Sequence, residues 1–148
     1  MSARTPFADV PLPALLLGAG GLVPFVALAL LSIAGYASVS VSHALATYAA
    51  VILSFVGALH WGYAVQANSK GRIAAIQYCW SVMPALIGWF ALQLPLTFAL
   101  RAQALTFIIC YALDRTLATA EATPHWFMNL RAVLSAVAVA ALLLASYA

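Results

Sequence analysis

The sequence predicts an all-α, polytopic membrane protein, a five-helix transmembrane bundle with its N-terminus inside and its C-terminus outside. Two observations predict this class. The 148-residue chain is 66% hydrophobic and only 6% charged, whereas soluble domains carry about 25% charged residues. Its charged residues fall almost entirely between five apolar segments, each long enough to cross a bilayer, which takes about 20 residues. A bundle of this length forms one domain over residues 1–148.

The five helices follow from these apolar segments in chain order. We predict them near residues 12–36, 45–66, 73–93, 96–117 and 126–147. The first segment exceeds the apolar region of a signal peptide, which has about 7–15 residues. We therefore expect it to be a retained helix.

Short polar turns separate the middle helices. Residues 68–71 form a polar turn, and residues 93–96 form a tight hairpin with Pro95 in the first helical turn. The fourth helix contains Arg101 and Asp114, and the apolar run between them is too short to span alone. Arg101 can reach one interface and Asp114 can lie near the other, so a spanning helix remains the prediction.

The basic residues predict the orientation. With five spans, one side of the membrane holds five of the six basic residues, and the other side holds only Arg101. Short cytoplasmic loops carry the excess of Lys and Arg, which places the N-terminus inside. The five residues on that side are Arg4, Lys70, Arg72, Arg115 and Arg131.

Composition excludes several function classes. The six basic residues are scattered rather than clustered, which argues against nucleic-acid binding. Cys79 and Cys110 lie in apolar segments without a CxxC motif, so we expect buried thiols and neither a metal site nor a bound cofactor. The sequence has no nucleophile elbow, phosphate loop or HExxH motif, and Asp9 and Glu121 are expected to be exposed, so we do not expect an enzyme.

Of the ionisable residues inside predicted spans, three are candidates for one polar site: His60, Asp114 and Arg131. At about 1.5 Å per residue they lie roughly 9, 5 and 8 Å from the same inner interface. We predict that Asp114 pairs with Arg131, and that His60 is placed to join them. This cluster is either a polar clasp that fixes helix packing or a binding or proton-handling site, because histidine titrates near neutral pH.

Aromatic residues lie at a similar depth. Trp61 and Tyr63 flank His60, and Tyr78 and Trp80 occupy the third helix. They either pack as core or line a pocket for a flat hydrophobic ligand such as a quinone or a tetrapyrrole.

Two prolines lie well inside predicted helices. Pro24 in the first helix and Pro84 in the third each remove a backbone hydrogen bond, which predicts helix kinks. Ser81 is placed to satisfy the carbonyl that Pro84 leaves free.

Four segments of the chain carry a family resemblance. The most specific is residues 48–62, which ends in His60-Trp61-Gly62, and residues 21–25, 81–89 and 126–131 are the others. Over roughly residues 15–145, the chain resembles a small bacterial membrane protein family of unknown function that is related to the mitochondrial transmembrane protein sixty-nine. The resemblance implies a location in the bacterial inner membrane or in mitochondria, and of these we expect the inner (plasma) membrane. It implies no activity.

Two functions remain open at this stage. The first is a non-enzymatic accessory or scaffold protein of a larger inner-membrane complex, with the lipid bilayer and other membrane proteins or further copies of itself as partners. The alternative is a binder of a tetrapyrrole, quinone or lipid in a cytoplasmic-side pocket around His60.

Overall fold

A computed structural model describes residues 9–36, 38–117 and 124–148, which leaves Arg4 and Glu121 outside the described residues. The described residues form five helices and no strand. All five helices are long and apolar enough to cross a membrane, which confirms the predicted class of five-helix membrane protein. They are α1 (Leu12–Leu31), α2 (Val39–Gln66), α3 (Gly71–Ala91), α4 (Leu96–Leu117) and α5 (His125–Ala145).

The link between α1 and α2 differs from the sequence-based expectation. After α1 the chain makes one wider, π-type turn over Ser32–Tyr36, and the helix breaks at Gly35, whose φ of 87° favours glycine. α2 then begins at Val39 rather than near residue 45, because the Ser38 side chain accepts a hydrogen bond of 3.2 Å from the backbone N–H of Val41. This cap satisfies one of the free amides at the start of the helix.

The helices alternate in direction, and α2 lies at the centre, where it packs against each of the other four. α4 packs against α2, α3 and α5, whereas α1 packs mainly against α2 and α5. The exposed side chains of Lys70, Arg72 and Arg115 mark one end of the bundle, which we name the basic end. Arg101 lies toward the opposite end, where its Nε donates to the Ser146 hydroxyl at 3.3 Å.

The apolar core lies in the half toward the opposite end. Lipid is as apolar as these side chains, so helix association there depends on close packing and hydrogen bonds. At Gly57 on α2, an added Cβ would lie 2.5 Å from the Ser81 carbonyl of α3, so the two backbones touch. The core consists of Phe25, Ala29, Leu45, Ala46, Ala49, Leu53, Val56, Leu100, Ala104, Phe107, Cys110, Ala138, Ala141, Leu142 and Ala145.

Candidate functional site

Three ionisable side chains meet near the basic end. His60 lies near the end of α2, Asp114 near the end of α4 and Arg131 near the start of α5. α2 and α4 run in the same direction and α5 runs back, so the three positions reach the same depth. The structure therefore brings together the three residues that the sequence analysis placed at one level.

Asp114 is the centre of this cluster. Its Oδ1 lies 2.8 Å from His60 Nε2, and its Oδ2 accepts a hydrogen bond from Arg131 Nη2. His60, Asp114 and Arg131 are only 1%, 3% and 7% exposed, respectively. Charges buried this deeply must be paired and hydrogen-bonded, and both carboxylate oxygens are.

The pairing assigns the histidine tautomer. A carboxylate only accepts, so His60 Nε2 carries the proton and donates it to Asp114. His60 Nδ1 is then an acceptor when the ring is neutral. His60 Nδ1 and Arg131 Nε are both buried and have no hydrogen-bond partner among the described residues. Each carboxylate oxygen of Asp114 thus has one partner, and each partner keeps a buried nitrogen without one, His60 Nδ1 and Arg131 Nε.

A cavity of about 340 Å³ lies beside the cluster, between α1, α2, α4 and α5. Arg131 is the only charged side chain among its described liners. Leu17 on α1 and Phe55 on α2 both line it and are 79% and 67% exposed, so it opens between α1 and α2 to the lipid-facing surface. The liners are Ala14, Leu17, Gly18, Gly21, Leu22, Phe25, Ile52, Phe55, Val56, Leu59, Phe107, Trp126, Phe127, Leu130, Arg131, Leu134, Ser135 and Ala138.

The aromatic residues of the predicted pocket do not line this cavity. Trp61 is exposed and packs edge-on against Tyr78, with ring centroids 4.9 Å apart. Tyr63 packs edge-on against the His60 ring at 5.7 Å, and Trp80 packs against the apolar core. Of the predicted site residues, only Arg131 is among its liners. The aromatic pocket predicted around His60 therefore does not coincide with this cavity.

The prolines lie where the sequence placed them, inside α1 and α3. The Tyr48 hydroxyl donates to the Gly21 carbonyl at 2.9 Å, in the turn of α1 that Pro24 leaves one bond short. Ser81 donates to the Tyr78 carbonyl at 2.6 Å, rather than to the carbonyl four residues before Pro84. The expected rescue by Ser81 is therefore wrong, because its hydroxyl bonds to a carbonyl two residues before that of Trp80, which Pro84 leaves free.

Sequence reasoning missed two buried amides. Gln77 on α3 and Gln103 on α4 are 4% and 0% exposed. Gln103 Nε2 donates to the Ala46 carbonyl at 2.9 Å and ties α4 to α2. The signal was present, because an uncharged polar side chain in the middle of a span also needs a partner inside the bundle. Among the described residues, no group of three or more His, Cys, Asp or Glu is placed to hold a metal ion.

Five helices able to span a membrane, with a buried ionic cluster near one end, define a multi-pass membrane protein. The chain belongs to the family described as protein of unknown function DUF3429, whose profile matches residues 10–147. This membership confirms the resemblance drawn from the sequence.

Two relatives carry the name Transmembrane protein 69. The protein of Xenopus tropicalis is 39% identical over 132 residues, which cover 88% of this chain and 52% of the relative. The protein of Mus musculus is 31% identical over 140 residues, which cover 93% and 56%. The chain thus spans about half the length of these relatives. No solved structure matches it.

Proposed function

We propose that the protein binds a small, mostly apolar molecule from the bilayer in the cavity beside the ionic cluster. One observation supports this proposal above the others: an apolar cavity of about 340 Å³ has the buried Arg131 in its wall. Ligand sites are commonly apolar clefts of about 300–1,000 Å³ with a few fixed polar groups. The cavity and the cluster fit that description together.

The volume favours a single ring over a macrocycle. An apolar cavity of about 150 Å³ accepts benzene, so 340 Å³ corresponds to roughly a dozen heavy atoms. A tetrapyrrole is several times larger than this. The ligand class therefore narrows to a one-ring molecule or a short stretch of acyl chain.

The charges favour binding over catalysis. Of the acidic residues that the structure describes, Asp114 has both oxygens paired, and Asp9 lies exposed before α1. A general base must reach the proton that it abstracts, and neither carboxylate reaches the cavity wall. The cluster holds Arg131 in place.

A pair of variants on α1 tests cavity binding. Ala14 lines the cavity, whereas Ala19 is exposed on the same helix and is not among the liners. Ala14→Phe fills the cavity, and Ala19→Phe places the same ring against lipid. We expect a molecule of the predicted size in the extract of the wild type and of Ala19→Phe, and its loss from Ala14→Phe, by mass spectrometry of the purified proteins.

Thermal unfolding provides the second readout. A ligand at 100 times its Kd stabilises by about 2.7 kcal/mol, and Ala14→Phe should abolish that gain. Equal ligand-induced stabilisation in both variants would show that the molecule binds elsewhere and would overturn the proposal.

An accessory role in a larger membrane complex is the second candidate, favoured by the outer face of α1. Among the described residues of this helix only Phe25 and Ala29 are buried. Gly20 faces outward with Ala19 and Ala27, and a Cβ added to Gly20 would have no neighbouring atom within 4 Å. Small residues permit close approach of another helix. We expect Gly20→Leu to remove a partner that co-purifies in mild detergent, and a wild type that co-purifies with nothing would contradict this role.

We further propose that the basic end faces the cytoplasm in the bacterial inner membrane, so that the C-terminus lies outside. The exposed Lys70, Arg72 and Arg115 at that end support this orientation. Alkaline phosphatase fused after Ala148 should be active, because it folds only outside the cytoplasm. A fluorescent GFP fusion at the same residue would indicate the reverse orientation.

A further inference from the structure

Arg131 belongs to both the ionic cluster and the cavity wall. Its Nη2 donates to Asp114, whereas its Nε is buried and has no partner among the described residues. An unpaired buried donor is unfavourable, and a ligand that supplies an acceptor removes that penalty. Because the Arg131 side chain also lines the cavity, the cavity is suited to a ligand with at least one hydrogen-bond acceptor.

The charge of the cluster selects a neutral acceptor. The charges of Asp114 and Arg131 cancel each other, so the ion pair whose arginine lines the cavity is neutral. An anionic headgroup would bring an uncompensated charge into an apolar cavity, which is strongly unfavourable. A carbonyl oxygen accepts from the Arg131 guanidinium without adding charge.

A second donor lies one turn away on α5. Ser135 lines the same cavity and is 8% exposed, and its hydroxyl makes no hydrogen bond within the described residues. Residues four apart lie on one helix face, about 6 Å apart along the axis. The cavity thus presents two donors on one wall, which suits a ring with two carbonyl groups.

The opening between Leu17 and Phe55 leaves room for an apolar tail on the ligand. Both side chains are largely exposed at the surface that would face acyl chains. A ring of roughly a dozen heavy atoms fills the cavity, and a long alkyl or isoprenoid substituent can remain in the bilayer. The ligand does not have to be enclosed completely.

We propose that the cavity is a docking site for the ring of a lipid-soluble quinone, with one carbonyl oxygen accepting from the Arg131 guanidinium and the other facing Ser135. This inference rests on the proposed function, because it names the class of molecule that the cavity binds.

Three ligands with the same ten-carbon chain test it on the wild-type protein in nanodiscs: a decyl-substituted benzoquinone, decylbenzene and decanoate. A hydrogen bond to a charged donor corresponds to about 10- to 150-fold in affinity. We expect the quinone to bind at least about tenfold more tightly than decylbenzene, and decanoate to bind most weakly. Equal binding of quinone and decylbenzene, or tightest binding of decanoate, would overturn the assignment of a quinone as the ligand. The cavity would remain a binding site for another molecule. If none of the three binds, the proposed function fails as well.

Infrared spectroscopy of a carbonyl-labelled quinone identifies the donor. Binding should lower the frequency of one carbonyl band, because a hydrogen bond to a cation weakens the C=O bond. Arg131→Lys can retain the pair with Asp114 but lacks a second nitrogen, so it should lose the shift and the preference over decylbenzene. Ser135→Ala leaves the ion pair intact and should weaken quinone binding about threefold or more. An unshifted band in the wild type, or wild-type quinone affinity in Ser135→Ala, would contradict the assigned contacts.

Discussion

The two ends of the bundle hold α2 and α4 together by different means. Toward the opposite end, the neutral Gln103 amide donates to the Ala46 carbonyl inside a closely packed apolar core. Near the basic end, Asp114 connects α4 to α2 through His60 and to α5 through Arg131. A cavity lies beside these contacts. The contrast indicates that paired charges connect the helices at the end of the bundle where side-chain packing is incomplete.

The energies of these contacts are of different size. A hydrogen bond between membrane helices contributes about 0.6 kcal/mol on average, whereas breaking a buried ion pair costs about 3–5 kcal/mol. The basic end should therefore be the more sensitive to substitution, although it has the looser packing. The four variants below test this difference.

The largest effect is expected for Asp114→Ala. It leaves Arg131 buried without a counter-charge, so the free energy of unfolding in mild detergent should fall by about 3–5 kcal/mol. The matched control is Asp114→Leu combined with Arg131→Met, which removes both charges and should recover most of the loss. Equal stability of the single and double variants would show that the loss in Asp114→Ala does not come from leaving Arg131 without a counter-charge.

The next effect is expected for His60→Phe, which keeps an aromatic ring and removes the hydrogen bond to Asp114. A hydrogen bond to a charged group contributes about 1.5–3 kcal/mol, so the free energy of unfolding, measured in denaturant, should fall by that amount. His43→Phe makes the same change at an exposed position on the same helix and should stay within about 0.5 kcal/mol of the wild type. A loss of equal size at both positions would show that the hydrogen bond between His60 and Asp114 makes no specific contribution to stability.

The ionic cluster could be predicted from the sequence because its physics is simple. His60, Asp114 and Arg131 stand at matched depths in their spans, and a charge inside a membrane needs a partner at its own level. The five spans were predictable for a similar reason, since length and apolarity set them.

The cavity could not be predicted in this way. Trp61 and Tyr63 are close to His60 in sequence, but neighbouring residues on a helix point in different directions, and Trp61 lies exposed. The wall comes instead from α1 and α5, and it depends on how these helices pack against α2. Rotation and packing distance are tertiary properties that spacing along the chain does not encode.

Gly57→Ala tests the contact midway between the two ends. The added methyl would lie 2.5 Å from the Ser81 carbonyl, so α2 and α3 must separate, which should cost about 1–3 kcal/mol of unfolding free energy. Gly62→Ala on the same helix meets no atom within 4 Å and should be neutral or stabilising by up to about 1 kcal/mol. Comparable losses at both positions in thermal unfolding would mean that the close α2–α3 approach is not required.

The smallest effect is expected for Gln103→Met. It removes the hydrogen bond to the Ala46 carbonyl but retains an unbranched side chain that packs in an apolar core. Gln103 Oε1 has no partner among the described residues, so the substitution also removes a buried acceptor that was unsatisfied. We therefore expect a loss of only about 0.6 kcal/mol, measured by unfolding in denaturant beside Gln93→Met in the exposed hairpin. A loss as large as that of His60→Phe would show that the packed end depends on its polar contact as strongly as the basic end does, and the contrast between the two ends would not stand.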